Sequence, residues 1–177
     1  MQFNIRTANH TDLKSVSKLV NSAYRGDYAK QGWTTEADLI TGQRTDEKTL
    51  ESELSEPGSS MELMFNEESA LIGCVFLKEI DTSLYFGMLT VEPSLQGIGL
   101  GKILLNHIES IAIGKKKKTI QMSVIENRKE LIDFYERRGF KSTGKLEPFP
   151  EGNPEFGIPK QKHQFLIFEK KLISESV

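Results

Sequence analysis

Apolar residues recur along the chain at two spacings, and the switching between them lays out its elements. Phe3 and Ile5 alternate with Asn4 and Arg6, which predicts a short first strand. Leu13, Val16, Leu19, Val20 and Ala23 then fall at helical spacing, with Thr11 placed to cap that helix. Residues 46–56 predict a second helix, ended by Pro57 and Gly58. Strands follow at 61–65, 70–80 and 84–91, the last stopped by Pro93. Leu104, Leu105, Ile108, Ile111 and Ala112 give 99–113 the apolar face of a helix, with Gly114 as its C-cap. Ile120, Met122 and Val124 share one side of a strand at 119–125. Residues 128–138 read as a helix ended by Gly139, and 140–146 and 164–172 as late strands.

Strands that alternate with helices predict an α/β or α+β fold with a mixed sheet, over one domain spanning 1–177. Between the first two helices, residues 24–42 read as an irregular arm. A short helix is expected there, because Thr35 precedes the acids Glu36 and Asp38. Pro148, Pro150, Pro154 and Pro159 stiffen the loop between the late strands, which either connects them or shapes a substrate mouth.

Composition narrows the partners more than the fold. The 23 Lys and Arg against 25 Asp and Glu leave a formal charge of −2, which gives no global attraction to nucleic acid or an anionic membrane. The single cysteine, Cys74, forms no internal disulfide and sits in an apolar strand pattern, which predicts a core thiol. No apolar run suggests a signal core or a membrane span, so a cytoplasmic protein is expected. His10, His107 and His163 have no ligand spacing, and no metal is expected.

The chemistry concentrates in VEPSLQGIGLGK, residues 91–102, between a predicted strand and a predicted helix. Glycines at 97, 99 and 101 let backbone approach a ligand closely. The unpaired N–H groups of a helix's first turn, its dipole and Lys102 add up to an anion site. A Walker A loop does not fit, because the glycine spacing is one residue short and Ile103 follows Lys102. A dinucleotide fingerprint does not fit either, because the glycines run G-x-G-x-G. A plain glycine-rich turn is the remaining alternative, and three glycines in five residues are costly for one.

Gln96-Gly97-Ile98-Gly99-Leu100-Gly101 does match Q-x-x-G-x-G, and here the sequence resembles the GNAT acetyltransferases, whose pyrophosphate-binding signature this is. The resemblance is strong over 84–140. A second stretch, RKELIDFYERRGF from 128 to 140, is similar to the family's later helix, with Tyr135 in the place of its tyrosine. Where the family often has Asn, this chain has Arg128, with Asn127 one position earlier.

The resemblance implies a mixed, mostly antiparallel central sheet flanked by helices, and acetyl-CoA as co-substrate. It implies a cofactor site made of Leu89, Thr90, Val91, Gln96, Gly97, Ile98, Gly99, Leu100, Gly101, Lys102, Asn127 and Tyr135. In the mechanism it implies, a backbone N–H near Leu89 stabilises the oxyanion and Tyr135 protonates the leaving thiolate. The family's strand glutamate is missing from 84–91, so the general base stays open between Glu36, Glu79 and a water chain.

The arm is rich in recognition chemistry, and in the resembling family this region walls the acceptor site. Tyr24, Tyr28, Trp33, Glu36 and Arg44 are therefore expected to contact the acceptor, against the alternative that Trp33 is simply packed on the core. Acids there suit an ammonium; Arg25 or Arg44 suits a carboxylate. Lys115 to Lys118 suit a helix C-terminus rather than an anionic partner. Two readings follow. One is an enzyme acetylating a small-molecule or peptide amine. The other is a non-catalytic module that binds acyl-CoA. Homodimerisation stays open.

Overall fold

A computed structural model of the chain describes residues 2–150 and 153–172. In chain order the elements are β1 (Phe3–Thr7), α1 (Leu13–Tyr24), β2 (Ile40–Thr41), α2 (Glu47–Ser55), β3 (Ser59–Asn66), β4 (Leu71–Ile80) and β5 (Ser83–Val91). Then come α3 (Leu100–Gly114), β6 (Thr119–Ile125), α4 (Lys129–Glu136), β7 (Lys141–Pro148), β8 (Ile158–Pro159) and β9 (Gln164–Lys171). Seven strands form one sheet in the order β1-β3-β4-β5-β6-β9-β7. Every neighbouring pair is antiparallel except β5 and β6. A parallel pair needs a crossover, and α3 supplies it. The expected mixed, mostly antiparallel sheet with flanking helices is what forms.

Helices cover both faces. Leu104, Leu105 and Ile108 of α3 and Tyr135 of α4 pack on one face with Ile72, Val75 and Leu77 of β4. Val16, Leu19 and Val20 of α1 and Leu50 of α2 pack on the other, with Cys74 and Phe76. This is why β4 reads as a continuous apolar run: successive side chains point to opposite faces, and both faces are dry. Each fully buried leucine here contributes about 1.5–3 kcal/mol. Burial also pushes the Cys74 thiol up to about 12, so it is inert core, as its pattern predicts.

Two irregularities open the sheet at its centre. The β5–β6 pairing covers only Ser83–Tyr85 against Thr119–Gln121, after which the strands part. On the other side, Cys74 pairs with Thr90 but Phe76 pairs with Gly87, so β5 carries one extra residue at Met88–Leu89. Met88 takes a positive φ of 49° to accommodate it. The bulge reverses which residues face which side. Leu84 and Phe86 join the α3 cluster, Met88 joins the α1 cluster, and Val91 returns to the α3 side.

Several local expectations are corrected. Thr11 does not cap α1; Asn9 caps a short 3₁₀ turn at His10–Asp12 that leads into it. Residues 36–39 form a turn rather than a helix, with Thr35 Oγ1 accepting from the Ala37 N–H at 3.1 Å; the arm's helical turn is instead a 3₁₀ piece at Tyr28–Gln31. Gly114 closes α3 from within, and the left-handed residue that follows is Lys116, at φ 56°. The proline-rich loop contributes a strand, β8, that pairs with β2 in the arm. Among the described residues no helix is long and apolar enough to cross a membrane.

Candidate active site

The Gln96–Gly101 loop is shaped by two left-handed glycines. Gly97 has φ 84° and Gly99, the N-cap of α3, has φ 98°. A side chain at either would meet no atom within 4 Å, so glycine is needed for its backbone freedom and leaves open space in front of the loop. The Gln96 side chain holds the loop from behind: its Nε2 donates to the Val91 carbonyl at 3.2 Å. Gly32 of the arm lies against that carboxamide so closely that a Cβ there would overlap it. Tyr28 bonds Glu92 on the same side.

In front of the loop lies a cavity of about 310 Å³. Leu89, Thr90, Val91, Gln96, Gly97, Gly99, Leu100, Gly101, Lys102 and Tyr135 line it, which gathers ten of the twelve expected cofactor residues. Ile98 does not line it and is 60% exposed. Asn127 lies outside as well, its Nδ2 3.5 Å from His163 Nδ1. Arg128 lines the cavity instead, together with Arg137 and Arg138. No local sequence signal marks these arginines as cavity residues. Positive side chains and the free N–H groups of the α3 first turn thus face one space, which fits a pyrophosphate.

A second cavity of about 290 Å³ lies on the far side of the β5–β6 gap. Tyr24, Leu89, Arg128, Leu131 and Tyr135 line both cavities, so they stand at the junction. Of the expected acceptor residues, Tyr24, Glu36 and Arg44 line the second cavity. Tyr28 lines neither, and Trp33 lines the first, stacked on Phe134 with ring centres 5.7 Å apart. Trp33 is therefore a wall of the phosphate-loop cavity and, at 45% exposure, not a core residue.

At the junction, Leu89 has no ladder partner on either side. Its carbonyl accepts the Tyr24 hydroxyl at 3.2 Å, while its N–H sits in the bulge. The Tyr24 phenol is pushed up to about 12 by burial first and by Glu36 second. Tyr135 is buried among Phe86, Phe134 and Phe140, and that burial drives its phenol far above the usual range.

Glu36 anchors the arm. Arg25 Nη1 donates to its Oε2 at 2.6 Å, and Arg128 Nη1 to its Oε1 at 3.1 Å. All three residues are 7% exposed. Burial alone would raise the Glu36 carboxyl, but Arg128, Arg25 and Arg44 outweigh it and hold it below the usual range. A carboxylate so held is a poor base. Glu79 is no better placed: it pairs with Lys115 and Lys117 beside Leu84, at the opposite end of β5 from the loop. Among the described residues, no three His, Cys, Asp or Glu side chains gather as metal ligands.

The peptidyl-lysine N-acetyltransferase YjaB of Salmonella typhimurium is 32% identical over 73 residues, which is 41% of this chain and 47% of that protein. The Escherichia coli protein of the same name is 26% identical over 98 residues, 55% of this chain and 60% of its own length. The matches thus span about half the length of these curated relatives. Among solved structures, the ribosomal-protein-S18-alanine N-acetyltransferase of Escherichia coli superposes with a TM-score of 0.71 at 15% identity, over 99% of both chains. The PaiA N-acetyltransferase of Thermoplasma acidophilum, in complex with coenzyme A, gives 0.68 at 20% identity, over 97% of this chain and all of that one. These likenesses are of fold. The sequence pattern of the acetyltransferase (GNAT) family matches residues 18–140, from within α1 to the residue before β7. The glycine loop, the open strand and the helix carrying Tyr135 all fall inside that span, and the chain belongs to the acetyltransferase (GNAT) family.

Proposed function

We propose that the chain transfers an acetyl group from acetyl-CoA to a primary amine by direct attack. The observation that carries this reading is the continuity of the site. A phosphate-shaped loop leads along an unpaired strand edge to a junction, and a second cavity opens beyond it.

Acetyl-CoA supplies the acyl thioester. The N–H groups of residues 97–102 and the Lys102 ammonium hold its pyrophosphate. The free backbone edge of Leu89–Val91 pairs with its amide-bearing arm as an added strand would. The Leu89 N–H, held in the bulge, stabilises negative charge on the thioester oxygen. Tyr135 stays protonated at neutral pH because burial raises its phenol, so it is available to protonate the departing sulfur. The acceptor amine enters from the second cavity, past Tyr24 and Arg44. A lysyl side chain of a peptide, the acceptor named for the relatives, and a small amine both suit a cavity that opens to the surface.

Calorimetry with acetyl-CoA tests this reading, with Gly99→Glu as comparison. Wild type binds; the variant, which puts bulk and negative charge before the loop, weakens binding at least 100-fold. A thiol-release assay over an amine panel follows. No binding by wild type discards the mechanism, and binding without turnover of any amine returns the chain to the non-catalytic reading.

A further inference from the structure

The reaction needs a base; Glu36 is held by arginines, and Glu79 is held by lysines at the opposite end of β5. The second cavity contains another carboxylate. Glu36, Glu53 and Glu147 all line it. Glu36 has both oxygens bonded, and Glu147 stands on the exposed strand β7. Glu53, on the last turns of α2, differs from both. Its Oε2 is buried without any hydrogen-bond partner, and it forms no ion pair among the described residues. It shares the cavity with Gly87, Met88 and Leu89, the bulged stretch where the thioester oxygen is expected. A buried carboxylate oxygen with no donor is costly unless something completes it. An ammonium supplies the missing donor when the acceptor arrives.

We propose that Glu53 receives the acceptor's ammonium and takes its proton, acting as the general base of this site. The proposal rests on the acetyl-transfer reading above. The step balances as follows. The ammonium gives one proton to Glu53, which passes it to solvent. The nitrogen lone pair then forms the C–N bond to the acetyl carbon as the C–S bond breaks. The nitrogen releases its surplus proton, and the departing thiolate gains one from Tyr135, which is then re-protonated. One proton is released overall.

The surroundings support the role. Burial raises the Glu53 carboxyl above the usual glutamate range, with Arg44 and Lys78 pulling it down and Glu155 pushing it up. Glu36, bonded to Arg25 and Arg128, lines the same cavity, as do Arg128 and Glu147. Tyr24, Tyr85 and Tyr135 also line it, and burial raises the phenols of Tyr24 and Tyr135. A base with raised proton affinity is better matched to an amine than an ordinary carboxylate is.

The test compares wild type, Glu53→Gln and Glu51→Gln, the last removing an exposed carboxylate from the same helix. The probes are phenethylamine, spermidine, lysine and a lysyl peptide, and the pH profile is taken with whichever wild type acetylates best. Glu53→Gln is expected to bind acetyl-CoA as wild type does, yet to lose about 100-fold in kcat/KM at pH 7. The loss should shrink as pH approaches the amine's own pKa, near 10.4 for a lysine, because the amine then deprotonates unaided. Carboxyl-carbon NMR, assigned with the Glu53→Gln variant, should show Glu53 titrating above ordinary glutamates. Equal rates at every pH, a loss confined to KM with an unmoved profile, or an ordinary titration overturns the proposal. Failure of wild type to bind acetyl-CoA overturns the parent reading, and Glu53's role with it.

Discussion

The two cavities meet at Tyr135 but are made in different ways. The phosphate-loop cavity takes one wall from a single contiguous run, β5 through the start of α3, whose shape is set by left-handed glycines, and the rest from the arm and α4. The second cavity draws on α2, β4, β5, β6, β7 and β9, and its chemistry lies in side chains. One end depends on conformation and the other on composition. Glycine spacing can therefore report the first from sequence, while only folding assembles the second. The same contrast shows in the acids. Glu36 is paired with two arginines, and Glu53 forms no ion pair among the described residues.

The strongest way to probe that contrast is to remove the paired acid. Glu36→Gln leaves Arg25 and Arg128 buried with less to neutralise them, and breaking such a cluster costs about 3–5 kcal/mol in a denaturation curve. Its pH dependence has a definite sign. The folded carboxyl lies below its unfolded value, so its stabilisation is full above about pH 4.3 and fades as pH falls through the lower folded value. The variant should lose that acid-side slope. Equal stability at pH 7 would mean the cluster does not hold the arm.

Tyr135→Phe comes next. Its ring packing on Phe86, Phe134 and Phe140 is kept by phenylalanine, so the fold should persist while turnover falls about 100-fold, close to 2.7 kcal/mol of barrier. Unchanged turnover at all pH values would remove the proton-donor role.

Gly99→Ala sharpens the backbone side. A Cβ there meets nothing, so the cost is conformational alone, about 1–2 kcal/mol in stability. A larger loss would mean that the loop is crowded after all.

The smallest effect is optical. Trp33 is the sole tryptophan and lines the first cavity, so acetyl-CoA should shift its emission and an amine alone should not. The reverse response would restore Trp33 to the acceptor wall.

What was legible follows the same division. Element order and the anion loop could be read because period, glycine and caps are local signals. The bulge left one trace, Gly87 inside an apolar strand, though the left-handed residue proved to be Met88. Asn127 is the family residue type displaced by one position, and it is Arg128, the residue that caps α4, that reaches the cavity. Glu53 left no trace, because a glutamate on a polar helix face looks like any solvated one. Its burial comes from β4 and the loop around Phe156, distant in sequence.

The short β5–β6 pairing has a mechanical consequence. Among the described residues, three residue pairs, helped by side-chain bonds from Ser83 to Thr119 and from Tyr85 to Ser123, are the only strand-to-strand rungs joining a four-strand plate to a three-strand plate. In the proposed function, the acyl-CoA arm lying along the open edge of β5 would supply the missing rungs. Part of the stiffness of this protein is then borrowed from what it binds, and its melting temperature becomes a gauge of how full the slot is.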